Sequence, residues 1–78
     1  MKEIKHFDNH LGKKVYTSGA VGVNPSYGKL FKDEYGDFIL LDALIFGNNE
    51  IHKVTSCRIY KSETVYLCSD EEIYAIII

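Results

Sequence analysis

The two cysteines are the first residues whose types and spacing could carry chemistry. If the chain reverses at Ser62-Glu63, an antiparallel hairpin places Cys57 directly opposite Cys68. Opposed residues on antiparallel strands have Cα atoms roughly 4.5 to 5.5 Å apart, which is within reach of a disulfide. The alternative is a pair of buried, reduced thiols that pack as small apolar groups. That alternative is favoured, because no secretory signal is visible and the chain is expected in the cytoplasm.

Two histidines, His6 and His10, are spaced i, i+4 and would share one face of a helix. Such a pair could hold a metal ion, but Asp8 lies off that face and His52 is far away in sequence, so no third ligand is evident. We therefore predict no metal site. The pair is expected either to be exposed to solvent or, beside neighbouring lysines, to contact an anionic ligand.

Charge is distributed unevenly along the chain, although the net charge is only −2. Residues 1–32 contain six lysines against two acids, a balance of +4, and residues 33–78 contain three basic residues against nine acids, a balance of −6. This pattern argues against a uniformly basic nucleic-acid binder but allows a local basic face. Lys13, Lys14 and Lys29 are therefore candidates for anion binding; the alternative is that they only solvate a surface.

Tyrosines supply a second kind of candidate ligand contact. The chain has six Tyr, four Phe and no Trp. An exposed Tyr close to Lys can stack on a nucleic-acid base, whereas most Tyr in a small barrel belong to its core or interfaces. Tyr27 and Tyr35 border predicted loops, so these two are expected to be exposed and to contact the ligand.

No arrangement of residues predicts catalysis. Gly19-Ala20-Val21-Gly22 is an isolated Gly-x-x-Gly without the Lys-Ser/Thr of a phosphate loop, and no Ser-His-Asp or Cys-His spacing can be defended. Cys68 has no adjacent basic partner that would activate it. We expect a non-enzymatic protein without a cofactor.

The elements that would position these residues are mostly strands. Ile4, Phe7 and Leu11 are spaced i, i+3, i+7, which predicts a short amphipathic helix over residues 2–10, ended by Gly12. Alternating apolar residues after that point predict strands. In the strongest of them only Asp42 breaks the apolar run: one face is predicted to hold Phe38, Leu40, Asp42, Leu44 and Phe46, and the other Ile39, Leu41, Ala43 and Ile45. The predicted strands are 13–20, 27–32, 38–46, 51–60, 64–69 and 73–78, with an acidic turn at 70–72. Gly28 lies inside the second of these strands and is expected to mark a sharp bend or bulge.

A chain of 78 residues builds only a thin core, so subunit association is the expected source of further stability. The last predicted strand, residues 73–78, has apolar residues at both odd and even positions, so both of its faces would be apolar. It would need cover on both faces or pairing with a neighbouring edge. No apolar run is long enough to cross a membrane. The predicted homo-oligomer interface consists of Val65, Leu67, Ile73, Ala75 and Ile77.

The order of these features resembles the Sm-like (LSm) superfamily, whose members have an N-terminal helix, a five-stranded bent sheet and two sequence signatures. The resemblance covers nearly the whole chain and implies one Sm-like domain over residues 1–78, with a helix at about 2–10 and a barrel at about 13–78. It also implies that the last strand pairs with the edge of a neighbouring subunit. The matching segments are Leu11-Gly12-Lys13-Lys14-Val15, Gly28-Lys29-Leu30, the acidic turn 33–37, the apolar strand 38–43 with its acid Asp42, and residues 65–70 followed by 73–77.

Two departures from the family pattern concern the residues that contact RNA. Members that bind uridine-rich RNA carry an Asn in the first signature and an Arg in the second. Here Leu40 or Leu41 stands at the first position and Cys68 at the second, with Ser69 in place of the Gly. Leu and Cys cannot replace the base-edge and phosphate contacts of Asn and Arg. The resemblance therefore implies the ring-forming fold more than ordinary uridine-tract binding.

These observations predict a mostly β protein: a short N-terminal helix followed by a five- to six-stranded bent antiparallel sheet that forms a small Sm-like (SH3-like) barrel. The expected function is non-catalytic binding of a nucleotide-type anion by a homo-oligomer, for which a ring is one arrangement. The ligand would be short single-stranded RNA, or a small cyclic nucleotide signal sequestered between subunits by a small phage-like protein. The alternative is a structural or protein-interaction module that uses the acidic C-terminal half and the apolar last strand.

Overall fold

The computed structural model describes residues 1–77, which form an antiparallel sheet, a 3-10 helix and one α-helix. The five strands expected between residues 13 and 69 are all present, with slightly different ends. In chain order the elements are β1 (Lys2–Ile4), a 3-10 helix (Phe7–His10), β2 (Lys14–Thr17), β3 (Ser26–Lys32), β4 (Phe38–Gly47), β5 (Glu50–Arg58), β6 (Val65–Leu67) and α1 (Asp70–Ile77).

The six strands form one sheet in the order β1-β6-β2-β3-β4-β5. Strands β2 to β5 follow one another as an antiparallel meander, and the chain then returns so that β6 lies between β1 and β2. The sheet is not closed, because β1 and β5 remain its two edges. The closed barrel predicted from the sequence is therefore not what the strand pairing shows.

The main core lies on one face of a curved sheet. Its buried residues come from β1, β2, β3, β4 and β6, and Val54 and Cys57 of β5 pack against them. Since Ile4 on one edge strand and Val54 on the other share a cluster, the sheet must bend around that face. The buried members are Ile4, Val15, Leu30, Leu40, Ala43 and Val65.

Asp42 interrupts the side-chain alternation of β4. Its φ of 50° lies in the left-handed region, which Asp tolerates better than most residues. Leu40 therefore belongs to the main core, whereas Leu44 packs on the other face against the cluster of Tyr27, Cys68 and Ile73. The sequence-based prediction that Leu40, Asp42 and Leu44 share one face was wrong for this reason.

Gly28 allows β3 to approach β4 closely. The register between the two strands shifts between Tyr27 and Lys29, as expected for a bulge. A Cβ atom built on Gly28 would lie 2.9 Å from the carbonyl oxygen of Leu41 and 3.1 Å from the Cα of Ala43. The prediction that this glycine marks an irregular point in the strand is confirmed.

The N-terminal helix predicted over residues 2–10 was wrong. Residues 2–4 form β1, which pairs with β6, and only residues 7–10 form a single 3-10 turn. Ile4 is buried in the core, while Phe7 packs edge-on against Phe38 with ring centroids 5.0 Å apart. The i, i+3 spacing of Ile4 and Phe7 therefore reflects two separate contacts with the core and not a helical face. Leu11, the third residue of the pattern, is exposed.

The last strand predicted over residues 73–78 was also wrong. Residues 70–77 form α1, and the predicted acidic turn is its first turn; Ile78 lies outside the described residues. Ser69 and Glu72 form a capping box: the Glu72 N–H donates to the Ser69 hydroxyl (3.2 Å), and the Ser69 N–H donates to Glu72 Oε1 (3.1 Å). Across residues 1–77, every helix is too short or too polar to cross a bilayer.

The hairpin register that would place Cys57 opposite Cys68 was wrong as well. Strand β5 pairs with β4, so Cys57 lies opposite Leu40, and β6 pairs instead with β1 and β2. Both cysteines are free, and they belong to different apolar clusters. The reduced-thiol interpretation is the one that fits this placement.

Candidate anion-binding face

Four lysines lie on or beside strands β1, β2 and β3, and we name Lys2, Lys13, Lys14 and Lys29 the basic face. Lys2 is on β1, Lys13 precedes β2, and Lys14 begins β2 directly opposite Lys29 of β3. Lys2, Lys13 and Lys14 line a shallow concavity of about 530 Å³ together with the start of α1. Three of the six lysines of residues 1–32, the positively charged segment, therefore line the same concavity.

Lys14 is held by the first residue of α1. Its Nζ atom lies 2.8 Å from each carboxylate oxygen of Asp70. Asp70 Oδ1 also accepts a hydrogen bond of 2.8 Å from the Tyr27 hydroxyl, which lies 3.3 Å from the carbonyl oxygen of Cys68. These contacts join β2, β3 and α1 through a single carboxylate.

The titration of these groups follows from the same contacts. The hydrogen bond from Lys14, reinforced by the one from Tyr27, lowers the pKa of Asp70 below its ordinary value. Burial, followed by the bond to Asp70, strongly raises the pKa of Tyr27. At neutral pH, Asp70 is therefore ionised and the Tyr27 hydroxyl is protonated. Its proton is shared between Asp70 Oδ1 and the more distant Cys68 carbonyl, so it is not free to bind a ligand.

Glu72 also lies at the concavity, where it contacts the α-amino group of Met1. This contact, followed by the hydrogen bond from the Ser69 backbone, lowers the pKa of Glu72. The same contact with Glu72 raises the pKa of the Met1 amino group. Glu72 is thus paired with the amino group of its own chain, whose positive charge offsets that of the carboxylate.

The remaining lysines of the basic face are not paired with an acid of the described part of the chain. Among residues 1–77, no carboxylate forms an ion pair with Lys2, Lys13 or Lys29. Like charges directly opposed on neighbouring strands are unfavourable, and Asp70 offsets this for Lys14 but not for Lys29. An anion that binds here would relieve the repulsion that remains.

The two tyrosines proposed as ligand contacts lie in different surroundings. Tyr27 is only 6% exposed and its hydroxyl is occupied, so the expectation that it would be exposed was wrong. Tyr35 is 82% exposed, as expected, and lies in the turn between β3 and β4. That turn carries three acidic residues, and Tyr35 does not line the concavity of the basic face.

The two histidines are not placed on one helical face. His6 precedes the 3-10 helix, and His10 is its last residue. Because a 3-10 helix has about three residues per turn, positions i and i+4 do not align along it. His10 is half-buried with its Nδ1 atom unpartnered among the described residues, His6 is exposed, and neither lines the concavity.

The predicted interface residues divide between the interior and the surface. Val65 and Ile73 are buried within their own chain, and Leu67 is half-buried. Ala75 and Ile77 are exposed on α1, so they are available to a partner, but as part of a helix and not of an edge strand. The edge-pairing role predicted for residues 73–78 therefore has no strand to carry it in the part of the chain that the structure describes.

Comparison with known proteins adds no further constraint to this geometry. No family model, curated protein or solved structure matches the chain. Within residues 1–77 there is also no group of three or more His, Cys, Asp or Glu residues that could hold a metal ion. The candidate site must therefore be argued from its own residues.

Sequence reasoning missed Lys2, Asp70 and Glu72 at this site. One signal was available: Ser69-Asp70-Glu71-Glu72 before an apolar run is the pattern of a capping box at the start of a helix. Recognising it would have placed Asp70 and Glu72 on the first turn of a helix. No signal in the sequence shows that this turn lies beside Lys14.

Proposed function

We propose that this chain is a non-catalytic binding protein for a nucleotide-type anion, held on the basic face. The observation that carries the proposal is the set of three lysines, Lys2, Lys13 and Lys29, that no described acid neutralises. Lysine ammonium groups bind phosphate as compact, strongly hydrated point charges.

The ligand is expected to be recognised through its phosphates. Tyr27 is buried, and the positions that resemble the RNA-reading positions of the Sm-like family hold Leu and Cys. A short single-stranded RNA or a small cyclic nucleotide both present such phosphates. Because binding would be dominated by charge, its affinity should fall steeply with salt and depend weakly on base identity.

We further propose kinship with Sm-like proteins and assembly into a homo-oligomer. The bent antiparallel sheet and the irregular Gly28-Lys29-Leu30 segment support the kinship, whereas the C-terminal position of the helix departs from the family pattern. Strand β5 supports assembly, because it is a nine-residue edge whose side chains are mostly exposed. An edge of that length readily pairs with another strand.

The ligand proposal is tested by fluorescence titration of the whole chain with two probes, a short oligouridylate and a cyclic dinucleotide, at two salt concentrations. Lys13→Ala and Lys29→Ala should each weaken binding several-fold and reduce the salt dependence. Lys5→Ala is the matched control, because Lys5 is exposed and lies outside the basic face. Failure of both probes to bind at low salt would contradict the proposal.

The assembly proposal is tested separately by native mass spectrometry of the protein purified from cells. The spectrum reports the number of subunits and any nucleotide that the protein retains. A single monomeric species over the whole accessible concentration range would contradict assembly without touching anion binding.

A second candidate function, a protein-interaction module, is favoured by a partly apolar groove of about 430 Å³ between α1 and the tip of the β4–β5 hairpin. Ile51, Ile76 and Ile77 line it and are exposed. Isolated exposed apolar residues need no explanation, but a lined groove of this kind often takes an apolar side chain of a partner. Ile51→Ser should abolish capture of such a partner and leave nucleotide binding unchanged.

A further inference from the structure

Buried polar side chains gather at a second place, away from the basic face. Among residues 1–77, the buried polar or charged residues are Thr17, Ser26 and Glu63. The Thr17 and Ser26 hydroxyls are hydrogen-bonded to each other, and the Ser26 N–H donates to Thr17 Oγ1 at 3.1 Å. Ser26 and Glu63 both line one pocket of about 280 Å³. The buried polarity of this small protein is therefore concentrated around a single cavity.

Glu63 leaves one carboxylate oxygen of this pocket without a partner. The residue is 9% exposed, and its Oε2 atom accepts a hydrogen bond of 2.9 Å from the Tyr60 N–H. Its Oε1 atom is fully buried and has no hydrogen-bond partner among the described residues. A buried, unsatisfied carboxylate oxygen is costly, so a donor that reaches Oε1 would stabilise the folded protein.

Cys57, which also lines the pocket, does not neutralise this charge. Burial raises the pKa of the Cys57 thiol; a hydrogen bond with Ser26 opposes the shift, and the negative charge of Glu63 adds to it. The thiol therefore stays protonated and packs as a small apolar group on the wall. The charge of Glu63 is left for a ligand.

Arg58 supplies the opposite charge at the same pocket. It is exposed, and within residues 1–77 it forms no ion pair with Glu63 or with any other acid. A pocket lined by two opposite charges that do not contact each other is suited to a molecule that carries both charges, separated by a few bonds. Asn24 and Tyr60 add polar groups to the lining.

We propose that this pocket binds a small zwitterion, whose ammonium group pairs with the Glu63 carboxylate and whose carboxylate contacts Arg58. A free α-amino acid has this chemistry. The volume of about 280 Å³ is just below the roughly 300 to 1,000 Å³ of typical ligand pockets, which favours a small ligand. None of the lining residues belongs to the basic face, so this site is independent of the proposed nucleotide site.

The test is an NMR chemical-shift titration of the full chain with three probes: glycine, methylammonium and acetate. Glycine carries both charges, and each of the others carries one. Glycine is expected to bind at least about tenfold more tightly than either single-charge probe, since each charged hydrogen bond contributes on that scale. Shifts should concentrate on the amides of residues 57–63.

Two variants separate the two charges. Glu63→Gln should weaken glycine and methylammonium by about tenfold, and Arg58→Ala should weaken glycine and acetate similarly. Glu34→Gln and Lys61→Ala are matched controls outside the pocket that should change neither affinity. Arg58→Ala carries the test alone if Glu63→Gln does not fold. Absence of glycine binding, glycine binding no tighter than methylammonium or acetate, or unchanged glycine affinity in either folded variant would overturn the proposal.

Discussion

The Nζ atom of Lys14 lies 2.8 Å from both carboxylate oxygens of Asp70, and this contact joins the start of β2 to the first turn of α1. It also removes one of the four lysines of the basic face from the pool available to a ligand. The charge that attracts an anion and the attachment of the C-terminal helix are thus coupled through one carboxylate.

Replacing Asp70 should therefore strengthen anion binding. Asp70→Asn removes the negative charge beside Lys14, so the affinity for a cyclic dinucleotide should rise several-fold at low salt. Glu71→Gln is the matched control, because it removes the same charge from the neighbouring exposed residue and breaks no hydrogen bond of Lys14. A calorimetric titration of the two variants measures the difference, and equal affinities would place the ligand away from Lys14.

The same carboxylate predicts how stability depends on pH. The folded pKa of Asp70 lies below its ordinary value of 3.8, so its contacts stabilise the fold above that value and are lost as the pH falls through the folded pKa. Wild-type stability should decrease from about pH 5 downward, and Asp70→Asn should flatten part of that decrease. Urea unfolding at several pH values measures it; identical slopes for both proteins would contradict this role.

Removing the capping box should loosen α1. Ser69→Ala removes the hydroxyl that accepts the Glu72 N–H, at a cost of about 1 kcal/mol in the free energy of unfolding. Far-UV circular dichroism should show lost helical signal, and the Cys68 thiol beneath α1 should react faster with a thiol reagent. Ser62→Ala, at an exposed turn residue, is the control and should change neither quantity.

Adding one methyl group at Gly28 should destabilise the sheet. The Cβ of Gly28→Ala would lie 2.9 Å from the Leu41 carbonyl oxygen, and relieving this clash should cost about 1 to 3 kcal/mol. Gly47→Ala is the control, because the nearest atom to its Cβ is 3.5 Å away. Thermal unfolding of the two variants compares them, and equal melting temperatures would mean that β3 and β4 can separate without cost.

Sequence patterns predicted the central meander because each of its strands carries enough alternating residues to be recognised alone. The run around Leu40 is apolar on both faces and predicts a strand with neighbours on both sides, as β4 has in β3 and β5. Strand β1 has three residues, too few for any periodicity, and exists because β6 offers it an edge. Tertiary pairing therefore decided what local spacing could not.

The predictions for the two ends of the chain and for the candidate site were incomplete or wrong for different physical reasons. The isoleucine-rich run after residue 72 has strand-like composition, but the capping box and an acidic first turn start a helix there. At the site, Lys13 and Lys14 were predicted, whereas Asp70 reaches Lys14 because β6 pairs with β2 and the Cys68 N–H donates to the Lys14 carbonyl. The sequence also does not show that Cys57 and Cys68 lie apart, because their separation depends on the pairing of β6 with β2 instead of β5.

The left-handed Asp42 has a consequence for changes in chain length. Strands β4 and β5 stay in register across it, while β4 carries one residue more than β3. On β5, Val54 and Cys57 both pack against the main core, so that strand contains the same extra residue near Thr55. Deleting Asp42 alone would misalign the hairpin, whereas deleting Asp42 and Thr55 together would keep every inward side chain inward. Insertions and deletions in this hairpin are therefore expected to be tolerated only as matched pairs.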